Sequence, residues 1–137
     1  MQSPKILLIE DSHEFAFQIK LRLEKAGYLV DVASDGNIGL RMARENKPAL
    51  ILLDLMLPEL DGYHLCRLLK YDHNYKHIPV IVLTARSLEQ DKELALETGA
   101  DAYLIKPVNW DELLLTMNNL LADYSNVFES KKTSAKV

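Results

Sequence analysis

Polar residues that could carry chemistry follow four of the five apolar runs in this sequence. Glu10 and Asp11 come after the first run, Asp54 after the third, Thr84 after the fourth and Lys106 after the fifth. If the runs are parallel strands, their carboxyl ends meet at one edge of a sheet, where ligands bind in open α/β folds. The sequence therefore predicts that three carboxylates, a hydroxyl and an ammonium group gather in one place.

The chemistry expected of such a group is phosphoryl transfer. Three ionised carboxylates repel one another strongly once water is excluded, and Lys106 offsets only one charge. The excess predicts a hard divalent cation, and Mg²⁺ suits one or two carboxylates plus a phosphate oxygen. Thr84 can donate a hydrogen bond to an anionic oxygen, and Lys106 can act on it as a point charge. A metal ion, a donor and a cation around one carboxylate stabilise the transfer of a phosphoryl group to that carboxylate.

Each residue also has an ordinary structural interpretation. Asp11 could cap the first helix, with Glu14 three residues on. Asp54 could be a strand-end turn residue. Thr84 could serve packing, and Lys106 could be an exposed lysine leaving a strand. The coincidence of these residues at one sheet end favours the functional interpretation.

The elements that would position these residues are five short apolar runs that alternate with amphipathic stretches. The runs cover 6–9, 29–33, 49–53, 79–83 and 102–105. Three of them are apolar without interruption, which is typical of strands covered on both faces. The run 29–33 alternates more, as a strand nearer an edge would. Strand–helix alternation predicts parallel strands joined by right-handed crossovers, and hence an α/β fold.

Helix start and stop signals lie between the runs. The first helix has apolar residues at helical spacing, and Gly27 is placed to end it. A capping box at Ser87 and Gln90 opens a later helix, and another at Asn109 and Glu112 opens the last. After residue 123 the sequence turns polar and loses its periodicity. We therefore predict one domain over 1–123 and a polar tail or truncated linker over 124–137.

Composition excludes several classes of protein. The 137 residues are 48 % hydrophobic and 26 % charged, as in an ordinary globular domain. The net charge is −4, without the Lys and Arg clusters that bind nucleic acid, so no direct nucleic-acid partner is expected. No secretory signal or apolar stretch of about 20 residues is present, which predicts a cytoplasmic protein without a membrane contact. Cys66 is the only cysteine and is expected in the core.

Four motifs resemble those of bacterial two-component response-regulator receiver domains. They are LLIED at 7–11, LLDLMLPELDG at 52–62, PVIVLTA at 79–85 and GADAYLIKP at 99–107. They occur in the order and register of that family, and the resemblance covers residues 5–123. It implies a doubly wound, flavodoxin-like α/β fold, in which a five-stranded parallel sheet of order 2-1-3-4-5 is accompanied by five helices.

The resemblance also implies roles for the acidic residues. Asp54 matches the phosphoryl acceptor, which also contacts the metal ion. Asp11 matches a direct ligand of Mg²⁺, and Glu10 matches an acidic residue that commonly acts through water. The backbone carbonyl of Met56 matches a further metal ligand.

The remaining matches concern the phosphoryl group and the switch. Thr84 and Lys106 match residues that contact the phosphoryl group. Tyr103 matches the aromatic residue that turns inward when Thr84 is drawn toward that group. The peptide bond between Lys106 and Pro107 matches one that is cis in the family, which aims the ammonium group at the site.

The resemblance implies a signalling switch rather than a turnover enzyme. A sensor histidine kinase or a phosphotransfer protein would supply the phosphoryl group, and the domain would assist its own phosphorylation and dephosphorylation. The output would pass to an effector protein or domain through the surface formed by the fourth helix, fifth strand and fifth helix. A weak homodimer is a further expectation.

Three alternatives are weighed against this interpretation. A metal-dependent phosphatase of the aspartyl-nucleophile type needs a second acid two residues after the nucleophile, where this chain has Met56. A nucleotide-binding enzyme is disfavoured because no glycine-rich phosphate loop follows the first run. A receiver-like module that works without phosphorylation is disfavoured by the intact set Asp11, Asp54, Thr84 and Lys106, but remains open.

Overall fold

Five strands form one parallel sheet in the computed structural model. The structure describes residues 3–57, 59–85, 93 and 96–135, with side chains as far as residue 123. The strands are β1 Lys5–Ile9, β2 Leu29–Ala33, β3 Leu50–Asp54, β4 Val80–Thr84 and β5 Ala102–Ile105. Their order is β2-β1-β3-β4-β5, and every neighbouring pair is parallel. The predicted sheet is confirmed.

The burial of each strand follows its sequence pattern. All five residues of β3 and all five of β4 are buried, because these strands lie inside the sheet and are covered on both faces. The strand β2 alternates between buried and more exposed residues and lies at an edge, as its pattern predicted. The strands β3 and β4 begin one residue later than their apolar runs.

Helices connect the strands. The described part of the chain contains α1 His13–Lys25, α2 Gly36–Asn46 and α3 Gly62–Lys70 between strands, and a C-terminal helix Trp110–Ala135 after β5. Ser12 is the N-cap of α1 and its side chain accepts a hydrogen bond from the backbone N–H of Phe15, so the interpretation of Asp11 as the cap is wrong. Gly27 follows α1 with a φ of 101°, a left-handed conformation that favours glycine, as predicted.

Of the two capping boxes predicted for the later helices, only the second lies among the described residues. Asn109 Oδ1 accepts a hydrogen bond of 3.1 Å from the backbone N–H of Glu112, which confirms the start of the last helix. The predicted capping box at Ser87 and Gln90 lies outside the described residues, although residues 93, 96 and 97 are helical. The C-terminal helix continues to Ala135. Since no helix end marks residue 123, the division there stays a prediction.

The core has two layers, one on each face of the sheet. The first layer joins alternate strand residues to α2 and α3, and the second joins the others to α1 and the C-terminal helix. Both layers support the central strands, which hold the carboxyl edge in place.

Among the helices described, none combines the length and the apolar character needed to cross a membrane.

Candidate functional site

The carboxyl edge of the sheet brings the predicted residues together. Glu10 and Asp11 follow β1, Asp54 ends β3, Thr84 ends β4 and Lys106 follows β5. The pairing of β4 with β3 sets Asp54 opposite Leu83, and its pairing with β5 sets Thr84 opposite Ile105. Neighbouring strands therefore end at nearly the same level, and their terminal side chains meet.

Three carboxylates form the acidic part of the site. Glu10 is 2 % exposed and Asp54 5 % exposed, whereas Asp11 is exposed to solvent. One oxygen from each lies within 4.8 Å of the others. Oxygen ligands at this spacing, with an excess of negative charge over the neighbouring lysine, fit a hard divalent cation such as Mg²⁺.

Glu10 is the most constrained of these carboxylates. Its Oε1 accepts a hydrogen bond of 3.2 Å from the backbone N–H of Ser12, and its Oε2 accepts one of 2.9 Å from Lys106 Nζ. Burial raises the pKa of the Glu10 carboxyl above its ordinary value of 4.5, and the charge of Asp54 acts in the same direction. The hydrogen bond from Lys106 lowers that pKa, but burial is the larger effect.

Lys106 supplies the positive charge of the site. Its Nζ lies 3.6 Å from Asp54 Oδ2, farther than from Glu10. The peptide bond between Lys106 and Pro107 is cis, as the sequence resemblance implied. The Lys106 ammonium also lies 4.3 Å from the centre of the Phe15 ring, a contact that the sequence did not reveal.

Thr84 ends β4, the strand next to that of Asp54, and Tyr103 lies in β5, one strand farther out. Thr84 is fully buried, and its carbonyl accepts a hydrogen bond of 2.7 Å from the backbone N–H of Lys106. Tyr103 is half-buried, pairs with Val82 across β4 and β5, and packs against the core layer beneath α2 and α3. The two proposed switch residues therefore lie in adjoining strands.

The loop after β3 holds Asp54 in place. The backbone N–H of Met56 donates a hydrogen bond of 3.1 Å to Asp54 Oδ1. The backbone N–H of Gly62, at the start of α3, donates a hydrogen bond of 3.1 Å to the carbonyl oxygen of Leu55. A Cβ at Gly62 would lie 2.5 Å from the Asp54 carbonyl oxygen, closer than such atoms approach. The absence of a side chain there is what allows α3 to begin against the site, a requirement that the sequence signals only as a glycine after Asp61.

Comparisons with known proteins agree on one family. The family model described as the response regulator receiver domain matches residues 6–118. The transcriptional regulator RpaA of Synechocystis is 40 % identical over 131 residues, which are 96 % of this chain and 54 % of that protein. Protein PilH of Pseudomonas aeruginosa is 38 % identical over 118 residues, which are 86 % of this chain and 98 % of that protein. The chain spans about half the length of the first curated relatives it matches.

A solved structure shows a related site with a metal ion. The receiver domain of a sensor histidine kinase from Pseudomonas aeruginosa is 34 % identical and superposes with a TM-score of 0.81. The superposition covers 88 % of this chain and 98 % of that one. A magnesium ion is coordinated in the active site cleft of that domain.

Proposed function

Because the chain belongs to the response regulator receiver domain family, we propose that Asp54 is the residue that accepts the phosphoryl group. Receiver domains act as signalling switches. The observation that carries the assignment is the position of Asp54, a buried carboxylate at the end of the central strand, within 3.6 Å of Lys106 and beside two further carboxylates. The donor we propose is a phosphohistidine on a sensor kinase or a phosphotransfer protein, acting in the cytoplasm.

The chain's own groups suit an in-line transfer. A carboxylate oxygen of Asp54 would form a bond to phosphorus as the phosphorus–nitrogen bond of the donor breaks, and the bonding electron pair would stay on the imidazole. Lys106 would neutralise charge on the phosphoryl oxygens, and Thr84 would donate a hydrogen bond to one of them. The backbone N–H of Met56 already orients the acceptor carboxylate. Water would later hydrolyse the acyl phosphate and reset the switch.

The acidic cluster would hold the divalent ion that this transfer needs. Its ligands would be Asp11, Asp54 and the backbone carbonyl of Met56, with Glu10 acting through water. When bound, Mg²⁺ supplies charge neutralisation to the carboxylates and the phosphoryl oxygens. The tight spacing of the three carboxylates supports this assignment.

The signal would pass to an effector through the surface formed by the fourth helix, β5 and the C-terminal helix. Thr84, drawn to the phosphoryl group, would let Tyr103 turn inward and shift the population of conformers at that face. Exposed apolar side chains occur at Leu96, a helical residue before β5 that is 49 % exposed, at Ile105 in β5, 46 % exposed, and at Leu115 in the C-terminal helix, 62 % exposed. We define these three residues as the output face. An effector protein or domain is its proposed partner, and a weak homodimer would use the same residues.

The alternatives are less well supported. The side chain of Met56 is exposed and offers no carboxylate at the position where an aspartyl-nucleophile phosphatase needs its second acid. A module that signals without phosphorylation would have no use for the constrained arrangement of Lys106 around Glu10 and Asp54.

The test is phosphorylation by acetyl phosphate with Mg²⁺, followed by intact mass measurement. We expect one added phosphoryl group, labile to hydroxylamine, and no addition to Asp54→Ala. Asp31→Ala, which removes a surface carboxylate paired with Lys5, is the matched control and should label like the wild type. Equal labelling of Asp54→Ala would show that the acceptor lies elsewhere. Absence of labelling in the wild type would favour the phosphorylation-independent module.

A further inference from the structure

The ring of Phe15 lies against the ammonium group that the proposed transfer requires. Lys106 Nζ is 4.3 Å from the ring centre, within the range of a cation–π contact. Phe15 stands in the first turn of α1, is half-buried, and packs against the core layer beneath α1 and the C-terminal helix. The fold therefore holds its backbone and part of its side chain, while the Lys106 ammonium lies over its ring.

A series of contacts through Lys106, Glu10 and Ser12 links the Phe15 ring to the acidic cluster. Lys106 donates to Glu10 Oε2, and Glu10 Oε1 accepts from the backbone N–H of Ser12. The Ser12 side chain accepts a hydrogen bond of 3.3 Å from the backbone N–H of Phe15. The capped first turn of α1 thus fixes both Glu10 and Phe15, and Lys106 lies between them.

The carboxylate partners of Lys106 and its aromatic partner respond differently to a divalent ion. Glu10 now holds the ammonium at 2.9 Å, against 3.6 Å for Asp54. A cation bound by the acidic cluster neutralises carboxylate charge and so weakens the hold of Glu10 on Lys106. An aromatic ring is not a ligand for a hard ion, which takes oxygen, so the ion does not compete with the ammonium for the ring.

We propose that Phe15 is a positioning residue that keeps the Lys106 ammonium in the site once a divalent ion has occupied the carboxylates. This inference rests on the proposed function, because it assigns Lys106 to phosphoryl transfer. Phe15 itself touches neither the acceptor carboxylate nor the phosphoryl group. Its contribution is to limit the positions that a flexible lysine side chain can reach.

The rate of phosphorylation by acetyl phosphate at saturating Mg²⁺ is the first measurement. Phe15→Leu keeps an apolar side chain but has no π face. It should slow the reaction about two- to fivefold, which is the rate change that corresponds to losing a partly exposed cation–π contact. Phe15→Tyr should restore the rate. Phe17→Leu is the matched control, since Phe17 lies in the same helix but is 63 % exposed, and it should react like the wild type.

Graded fluorination of the ring separates electrostatics from shape. Incorporation of mono-, di- and trifluorinated phenylalanine at position 15 weakens the negative ring face stepwise while the side chain keeps its apolar packing. We expect the rate to fall with each fluorine. A role in packing alone predicts equal rates across the series, and that result would overturn the proposal even if Phe15→Leu proved poorly folded.

Nuclear magnetic resonance of labelled lysine gives a readout independent of activity. The ε-methylene protons of Lys106, assigned with Lys106→Arg, should be shifted upfield by the ring current in the wild type. The shift should persist when Mg²⁺ is added and should vanish in Phe15→Leu. Loss of the shift on adding Mg²⁺ would overturn the proposal. If the wild type takes no phosphoryl group, the proposed function fails, and the Mg²⁺ titration still decides whether Phe15 holds Lys106.

Discussion

The Lys70 ammonium donates a hydrogen bond of 2.8 Å to the Asp101 carboxylate and so ties the end of α3 to the start of β5. Lys70 also donates to the carbonyl of Ile78, and the same Asp101 oxygen accepts from the backbone N–H of Val80. The side chain of Lys70 is only 8 % exposed. This network fastens three elements together at the edge of the sheet opposite the site.

Lys70→Met should therefore destabilise the fold while keeping the aliphatic stem in place. We expect a loss of about 2 kcal/mol in the free energy of unfolding, because Asp101 and the backbone carbonyls of Lys76 and Ile78 lose a charged donor in a largely buried place. Urea unfolding measures it. Lys5→Met is the control, since its pair with Asp31 is long and exposed, and it should change stability by less than about 0.5 kcal/mol. Equal effects of the two substitutions would contradict the account.

Asp11→Asn should raise the stability of the metal-free protein. It removes one of three clustered charges, and Ser12 rather than Asp11 caps α1, so no cap is lost. In the wild type, Mg²⁺ at ten times its dissociation constant should add about 1.4 kcal/mol by mass action. The variant should start higher and gain less, as measured by thermal melting. Equal stabilisation of the wild type by sodium chloride at matched ionic strength would point to general screening instead.

The raised pKa of Glu10 predicts how the metal-free protein responds to pH. Because the folded state holds the Glu10 proton more tightly than the unfolded state, stability is lost as pH rises from about 4.5 through the folded-state pKa. Glu10→Gln lacks this loss, so the stability of the wild type relative to this variant should decline with rising pH across that window. Glu14→Gln, at an exposed position of α1, is measured alongside as a control for the removal of one carboxylate from this part of the chain. If the stability of the wild type instead increases relative to Glu10→Gln as pH rises, the direction of the Glu10 pKa shift is wrong.

Thr84→Ala should separate phosphorylation from output. Asp54 should still accept a phosphoryl group, but hydrogen exchange in β5 should respond weakly to a beryllofluoride mimic. Thr84→Ser keeps the hydroxyl and should respond like the wild type. If exchange over residues 102–105 changes equally in Thr84→Ala, the hydroxyl of Thr84 is not part of the switch.

Gly62→Ala should damage both the fold and the site. The added methyl would meet backbone atoms of Asp54 and Leu55 at 2.5 Å, and backbone cannot move as a flexible side chain can. We expect a loss of about 2 kcal/mol, within the range for overpacking, together with slower phosphorylation. Gly27→Ala is the comparison, since its methyl meets nothing within 4 Å and its cost is backbone strain alone. A normal phosphorylation rate in Gly62→Ala would show that the site tolerates movement of this loop.

The convergence of Glu10, Asp54, Thr84 and Lys106 could be predicted because each directly follows or ends an apolar run. Because the strands are parallel, the residue that ends or follows each strand lies at the carboxyl edge of the sheet. The contact of Phe15 with Lys106 could not be predicted, because it depends on how α1 packs across the sheet. In the sequence Phe15 simply adjoins the apolar face of a helix.

The geometry around the acceptor strand has a similar limit. The close approach of Gly62 to Asp54 arises only when α3 docks on the end of β3, and a glycine in the sequence does not tell which atoms it must make room for. The hydrogen bonds from Lys70 to the carbonyls of Lys76 and Ile78 depend on the path of the intervening loop. Spacing along the chain gives no account of that path.

The positions of β3 and β5 in the sheet have a consequence for how such a protein can evolve. All five residues of β3 are buried in the middle of the sheet, whereas in β5, at the edge, only Leu104 is. Leu50 and Leu52 lie in one core layer and Ile51 and Leu53 in the other, so a substitution at any of them disturbs a layer that holds Asp54 in place, and few changes there are compatible with the fold. A substitution at an exposed position such as Ile105 costs little stability. The layout therefore separates a strand that must stay constant from a surface that can diversify.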